Sequence, residues 1–142
     1  MGARAAVCSD TPELLWYHSP EEQHMKQDVY WVCVFRIEPD TYHDFQKVVA
    51  PLVKATLREE GSLAYEYMIS DDLSSVHILE HYKDSQAVID HVTKVFSQFA
   101  EDFTNLATVE SFTVYGSPNV AAREILDEFG AVYLLPFDGF TK

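Results

Sequence analysis

Apolar residues along the chain recur with two different periods, and each change of period marks the boundary of an element. VYWVCVFRI, Val29 to Ile37, is almost unbroken in β-forming residues, which predicts a strand buried on both faces. Glu38, Pro39 and Asp40 break it. From Tyr42 to Glu59 the apolar positions Phe45, Val48, Val49, Leu52, Val53 and Leu57 follow helical spacing. Asp40 or Thr41 is available as N-cap, and Pro51 is expected to bend or interrupt this helix. REEGSLAYEYMIS, residues 58 to 70, then switches period in its middle. Gly61 suits the left-handed position that ends a helix, and beyond it Leu63, Tyr65, Tyr67 and Ile69 alternate with Ala64, Glu66 and Met68 as a strand. The polar turn from Asp71 to Ser75 leads into VHILEHY, Val76 to Tyr82, which completes a hairpin.

Asp84 or Ser85 can cap a second helix beginning near Gln86, with a face running Val88, Val92, Val95 or Phe96, Phe99, Phe103 and Leu106. Val109 to Gly116 reads as the last core strand, followed by a short helix from Val120 to Phe129 and the apolar tail AVYLLPFDGF. The order strand, helix, strand, strand, helix, strand predicts a ferredoxin-like α+β sandwich, a split βαβ arrangement with an antiparallel sheet and both core helices on one face. Residues 28–116 would form this domain, with residues 117–142 packed on it or on a partner. Residues 1–27 read as a mostly irregular segment with one apolar patch at Leu14, Leu15 and Trp16. Because the first strand shows no polar face, something must cover the far side of the sheet, and a second copy of the chain is the simplest candidate.

Composition narrows the partners. At 142 residues the chain is one domain by size. Its net charge of −13 repels phosphate backbones and anionic bilayers, so neither nucleic acid nor membrane is an expected partner. The two cysteines, Cys8 and Cys33, fall in unlike contexts and do not suggest a disulfide framework. No stretch reaches the length of a membrane span, and residues 1–27 lack the apolar core of a signal peptide. MGARAA carries Ala6 where a myristoylation signal needs Ser or Thr. A reduced, cytoplasmic setting is expected.

Phosphate-cradling loops, nucleophile elbows and zinc-protease motifs are absent from the sequence. His77 and His81 share one strand face but lie roughly 13 Å apart at strand rise, too far to bind one ion. With His18 and His24 near the start of the chain and His43 at a helix start, no metal site is expected. His91 differs, because it lies beside Val88 and Val95 on the margin of an apolar helix face turned toward the sheet. It is either a half-buried, hydrogen-bonded histidine or an acid, base or donor facing a cavity. Glu80 is the other polar residue in an apolar setting, mid-strand with Ile78 and Tyr82 on its own face. Depending on hairpin register, Tyr65 faces either Glu80 or His81. Trp31, Tyr65, Tyr67, Phe96 and Phe99 are core aromatics or the walls of a pocket for a flat ligand, two readings that periodicity does not separate.

LVKATLREEGSLAYEY, the Asp-rich turn and HILEHYKDSQAVIDHVTKVFSQF together resemble the antibiotic biosynthesis monooxygenase family. The matching positions are Glu59 and Gly61, Leu63 and Tyr65, Glu80 and Tyr82 in place of Glu-x-Trp, then Ser85, Val88 in place of Ala, and His91. The resemblance spans roughly Val29 to Gly116. It implies a homodimer forming a dimeric α+β barrel, and an activity in secondary metabolism that uses O2 without metal or flavin. The implied substrate is a small aromatic phenol, quinol or anthrone-like metabolite of polyketide type. His91, Tyr65 and Glu80 would be catalytic, and Trp31, Tyr67, Tyr82, Phe96 and Phe99 would bind substrate. Heme-degrading relatives place an axial His near the position of Phe99 and Ala100, and no histidine follows His91 here, so heme is not expected. A polyketide cyclase or isomerase using the same pocket, or a non-catalytic binding module, is the alternative.

Overall fold

A computed structural model of the chain describes residues 27–142. The irregular segment expected over residues 1–27, with its Leu14, Leu15 and Trp16 patch and with His18 and His24, lies outside the described residues except for Gln27. Strand β1 spans Val29–Ile37, helix α1 Tyr42–Leu57, β2 Ser62–Ile69, β3 Ser75–Tyr82, α2 Ser85–Asp90, α3 Ala100–Leu106, β4 Ala107–Gly116, α4 Val120–Asp127 and β5 Val132–Leu134. The sheet runs β2-β3-β1-β4-β5. Its first four strands are antiparallel neighbours, and β5 joins the edge parallel to β4. This is the ferredoxin-like α+β fold anticipated from the pattern, extended by one helix and one edge strand. No helix among the described residues is long and apolar enough to cross a membrane.

Alternation along β1 sets the layers. Val29, Trp31, Cys33, Phe35 and Ile37 are buried against the helices, whereas Val32 and Val34 are half-buried and Tyr30 and Arg36 exposed. The expectation of a strand buried on both faces is therefore corrected for the single chain: helices cover one side of the sheet only. On the open side Tyr30 pairs with His81 and Val32 with Leu79, leaving Tyr30 40% and Leu79 37% exposed.

Three local expectations change for physical reasons. Helix α1 is uninterrupted through Pro51, which lies on its exposed side together with Lys47, the residue whose carbonyl loses its donor. Gly61 does not adopt the left-handed conformation. What it supplies is space: a Cβ at Gly61 would sit 2.5 Å from the Cβ of Ala87, so only glycine lets the end of α1 approach the start of α2. The long second helix is not continuous, for α2 passes into a π-helical turn, His91–Val95, then a 3-10 turn, Phe96–Gln98, before α3 begins. Asp84 caps α2 as anticipated, accepting the Ala87 N–H at 2.8 Å. The C-terminal helix is seated by Ala122 and Leu126, both buried, and by the Asn119 N–H donated to Ser85 Oγ at 2.9 Å.

Candidate active site

Between the helix layer and the sheet lies an aromatic-walled cavity of about 60 Å3. The hairpin pairs Tyr65 with Glu80, so strand alternation turns Tyr65, Tyr67 and Glu80 toward this cavity and Leu79 and His81 away from it. His91 arrives from the opposite layer at the end of α2. In a regular helix a residue five positions on lies about 140° around the axis. The wider π-helical turn removes most of that offset, so His91 and Phe96 both line the cavity, their rings 6.5 Å apart and nearly parallel.

His91, 2% exposed, is held from one side by Glu59 in the turn just after α1, whose Oε2 lies 2.7 Å from Nδ1. A carboxylate only accepts, so Nδ1 carries a proton, and in the neutral ring Nε2 holds the lone pair on the cavity side. Nε2 lies 4.0 Å from Glu80 Oε2, too long for a hydrogen bond. Behind Glu80 the fully buried Tyr82 donates its hydroxyl to the same oxygen at 2.6 Å. Acid, imidazole, acid and phenol thus form one line from Glu59 to Tyr82, linking α1, α2 and β3.

Burial raises the Glu80 carboxyl above its ordinary value, against the pull of His91 and the hydrogen bonds from Tyr82 and Trp31. Burial and the neighbouring Glu80 also push the Tyr65 and Tyr67 hydroxyls up, so both stay protonated. They bond each other at 2.8 Å. One proton serves that bond, which leaves the pair one O–H to donate elsewhere. The Cys33 thiol lines the cavity too, and its burial raises it, which suits a packed thiol rather than a nucleophile.

Of the residues singled out in the sequence, His91, Tyr65, Glu80, Trp31, Tyr67 and Phe96 line the cavity together. Tyr82 and Phe99 do not. Tyr82 stands behind Glu80, and the irregular turns after His91 carry Phe99 off the lining, although it packs against the core. Sequence reasoning missed Glu59 as the partner of His91, because a carboxylate at the end of a helix carries no periodic signal. It also missed Leu126 and Phe129 as walls. Phe129 is 36% exposed and lies against Phe96 with ring centroids 6.1 Å apart, which puts it at the cavity mouth. Among the described residues no group of three or more His, Cys, Asp or Glu side chains is placed to hold a metal ion.

A ferredoxin-like domain with a buried acid–imidazole cavity between its two layers is the class that fold and site define. The chain belongs to the antibiotic biosynthesis monooxygenase family, whose pattern matches residues 29–108. Among solved structures it is similar to MupZ from Pseudomonas fluorescens, at 22% identity and TM-score 0.68, covering 83% of this chain and 91% of that one. It is also similar to SnoaB, a cofactor-independent oxygenase from Streptomyces nogalater, at 18% identity and TM-score 0.57 over 66% and 96% of the two chains. Rv0793 from Mycobacterium tuberculosis matches at 21% identity and TM-score 0.56 over 66% and 98%. At such identities the likeness shows the fold. No curated protein matches the sequence.

The raised Glu80 carboxyl has a consequence for stability. The folded state holds that proton more tightly than the unfolded chain, so Glu80 makes folding less favourable as pH rises above its ordinary value of 4.5 toward the raised one. Glu80→Gln retains an acceptor for Tyr82 and has no proton to lose. Its stability relative to the parent is expected to increase across that window, read from denaturant midpoints at about pH 4, 6 and 8. A difference that stays constant with pH would contradict the burial argument.

Proposed function

We propose that the protein is a cofactor-independent monooxygenase that oxidises an aromatic phenol, quinol or anthrone-like metabolite with O2. The observation that carries this reading is the line from Glu59 through His91, whose free Nε2 opens onto an aromatic cavity. Nε2 and Glu80 Oε2, 4.0 Å apart, can both bond one ligand oxygen seated at about 2.8 Å from each. His91 then removes the hydroxyl proton as general base, with Glu59 stabilising the imidazolium that forms. The donor left over on the Tyr65 and Tyr67 pair steadies the developing oxyanion. The anion passes one electron to O2, and the resulting radical and superoxide combine to form a carbon–oxygen bond. The peroxide gains a proton, its O–O bond breaks as the C–H proton leaves, and a carbonyl and water are the products. Trp31 and Phe96 supply flat apolar walls that exclude water from the intermediates. The family match and the resemblance to SnoaB support this chemistry as a class.

Glu80 also favours a second reading. A carboxyl that tends to keep its proton beside an imidazole that can take one is an acid and base pair suited to a cyclase or isomerase handling an enolate without O2. The functional unit in either case is proposed as a homodimer packed through the open side of the sheet, supported by the apolar Tyr30, Val32 and Leu79 left there. Light scattering at twice the chain mass of 16.2 kDa is expected, and the mass of a single chain would contradict the dimer.

Oxygen uptake by chelator-treated protein with a panel of anthrones and quinols tests the reaction. Uptake is expected to survive chelation and to fall by about 10²–10⁴-fold in His91→Ala. His91→Gln, which keeps a donor for Glu59, guards against mistaking lost fold for lost catalysis. Substrate consumed without O2 would move the assignment to the cyclase or isomerase, and substrate left unchanged would move it to a binding module.

A further inference from the structure

The cavity's lining carries information about ligand charge that the reaction class does not. Among the described residues no Lys or Arg side chain lines it. The ionisable groups that meet there are the Glu80 carboxyl, the Glu59 carboxylate behind His91, the imidazole itself, the phenols of Tyr65 and Tyr67 and the Cys33 thiol. The whole chain adds a net charge of −13. A carboxylate entering this space sheds part of its water, meets no Lys or Arg side chain of the described residues and approaches the Glu59 carboxylate behind His91, which is costly between apolar walls. An ammonium group sheds its water as well, and the acid nearest the cavity, Glu80, is the one burial inclines to keep its proton.

The polar end is also specific in its hydrogen bonding. It offers His91 Nε2 as acceptor, one spare donor from the Tyr65 and Tyr67 pair, and the Glu80 carboxyl 4.0 Å from Nε2, which donates when protonated. A hydroxyl, being both donor and acceptor, satisfies acceptor and donor at once, whereas a carboxylate has no proton to give His91 Nε2 and leaves it unpaired. Size adds a further limit. A cavity of about 60 Å3 is smaller than the roughly 150 Å3 apolar cavity that admits benzene, so it takes the hydroxyl-bearing edge of a ring and the remainder lies toward the mouth. Larger skeletons must extend past Phe129 at the mouth.

We propose that this site selects a compact, uncharged phenol seated hydroxyl-first between His91 and the Tyr65–Tyr67 pair, and rejects the same phenol when it bears a carboxylate. The proposal rests on the reading above that this cavity is the substrate site, and it sets which members of the aromatic class enter.

A matched series on one ring tests it: 4-ethylphenol, 4-hydroxyphenylacetate and tyramine, titrated onto the full chain by ligand-observed NMR at neutral pH. 4-Ethylphenol is expected to bind about tenfold or more tightly than 4-hydroxyphenylacetate, and more tightly than tyramine. His91→Ala is expected to weaken 4-ethylphenol about threefold or more, which locates the ligand in this cavity. Equal or tighter binding of the carboxylate, tighter binding of tyramine, no binding of 4-ethylphenol, or an affinity unchanged in folded His91→Ala would each overturn the proposal. Binding is read without turnover, so a protein that selects 4-ethylphenol but consumes no O2 removes the oxygenase reading and leaves this one standing.

Discussion

The hydrogen bond between Glu59 and His91 is the constraint on which the site depends. It joins the end of α1 to the end of α2 across 32 residues of chain at 2.7 Å, with the histidine side chain 3% exposed and the carboxylate 15%. Such a contact forms only if the two helix ends come close, and Gly61 allows that by leaving room for Ala87. An acid and an imidazole this well buried are not a cheap source of stability, since removing either partner alone leaves the other without its hydrogen bond at a cost of about 1–3 kcal/mol. Their value lies in orientation. With Nδ1 committed to Glu59, the ring presents Nε2 to the cavity in one tautomer, and the chemistry open to the site follows from that atom.

The remaining features serve that orientation. The π-helical turn beginning at His91 brings Phe96 alongside the ring instead of Val95, which a regular helix would place closer to it. Tyr82, anticipated as a substrate contact, holds Glu80 from behind and fixes the distance between the second carboxyl and Nε2. Leu126 and Phe129 close the cavity from a segment that lies beyond the family's matched residues, so this chain builds part of its wall from its own C-terminal extension.

The parts of this architecture that were legible in the sequence are those governed by period. β1 to β4 and α1 follow from apolar spacing, and the pairing of Tyr65 with Glu80 was one of two registers that spacing allowed. β1 misled because an unbroken β-forming run reads the same whether one face is covered or two. The broken second helix was hidden for a related reason: Val92, Val95, Phe96 and Phe99 suit several helical registers, and only packing around His91 selects the wide turn. The role of Gly61 was misread because a glycine at a helix end signals a left-handed cap, and the close approach of Ala87 is a tertiary fact. Glu59 lay in plain view as a motif residue, but its partner sits 32 positions away and local pattern does not connect them.

The most direct test of this account is the protonation of the His91 ring, read by two-dimensional NMR on protein labelled with 15N-histidine at about pH 8, with His91→Gln used for assignment. The account predicts a proton on Nδ1 and a bare Nε2, and a shift of that pattern in Glu59→Gln. A proton resident on Nε2 would contradict it, since the site would then have no base to offer the cavity.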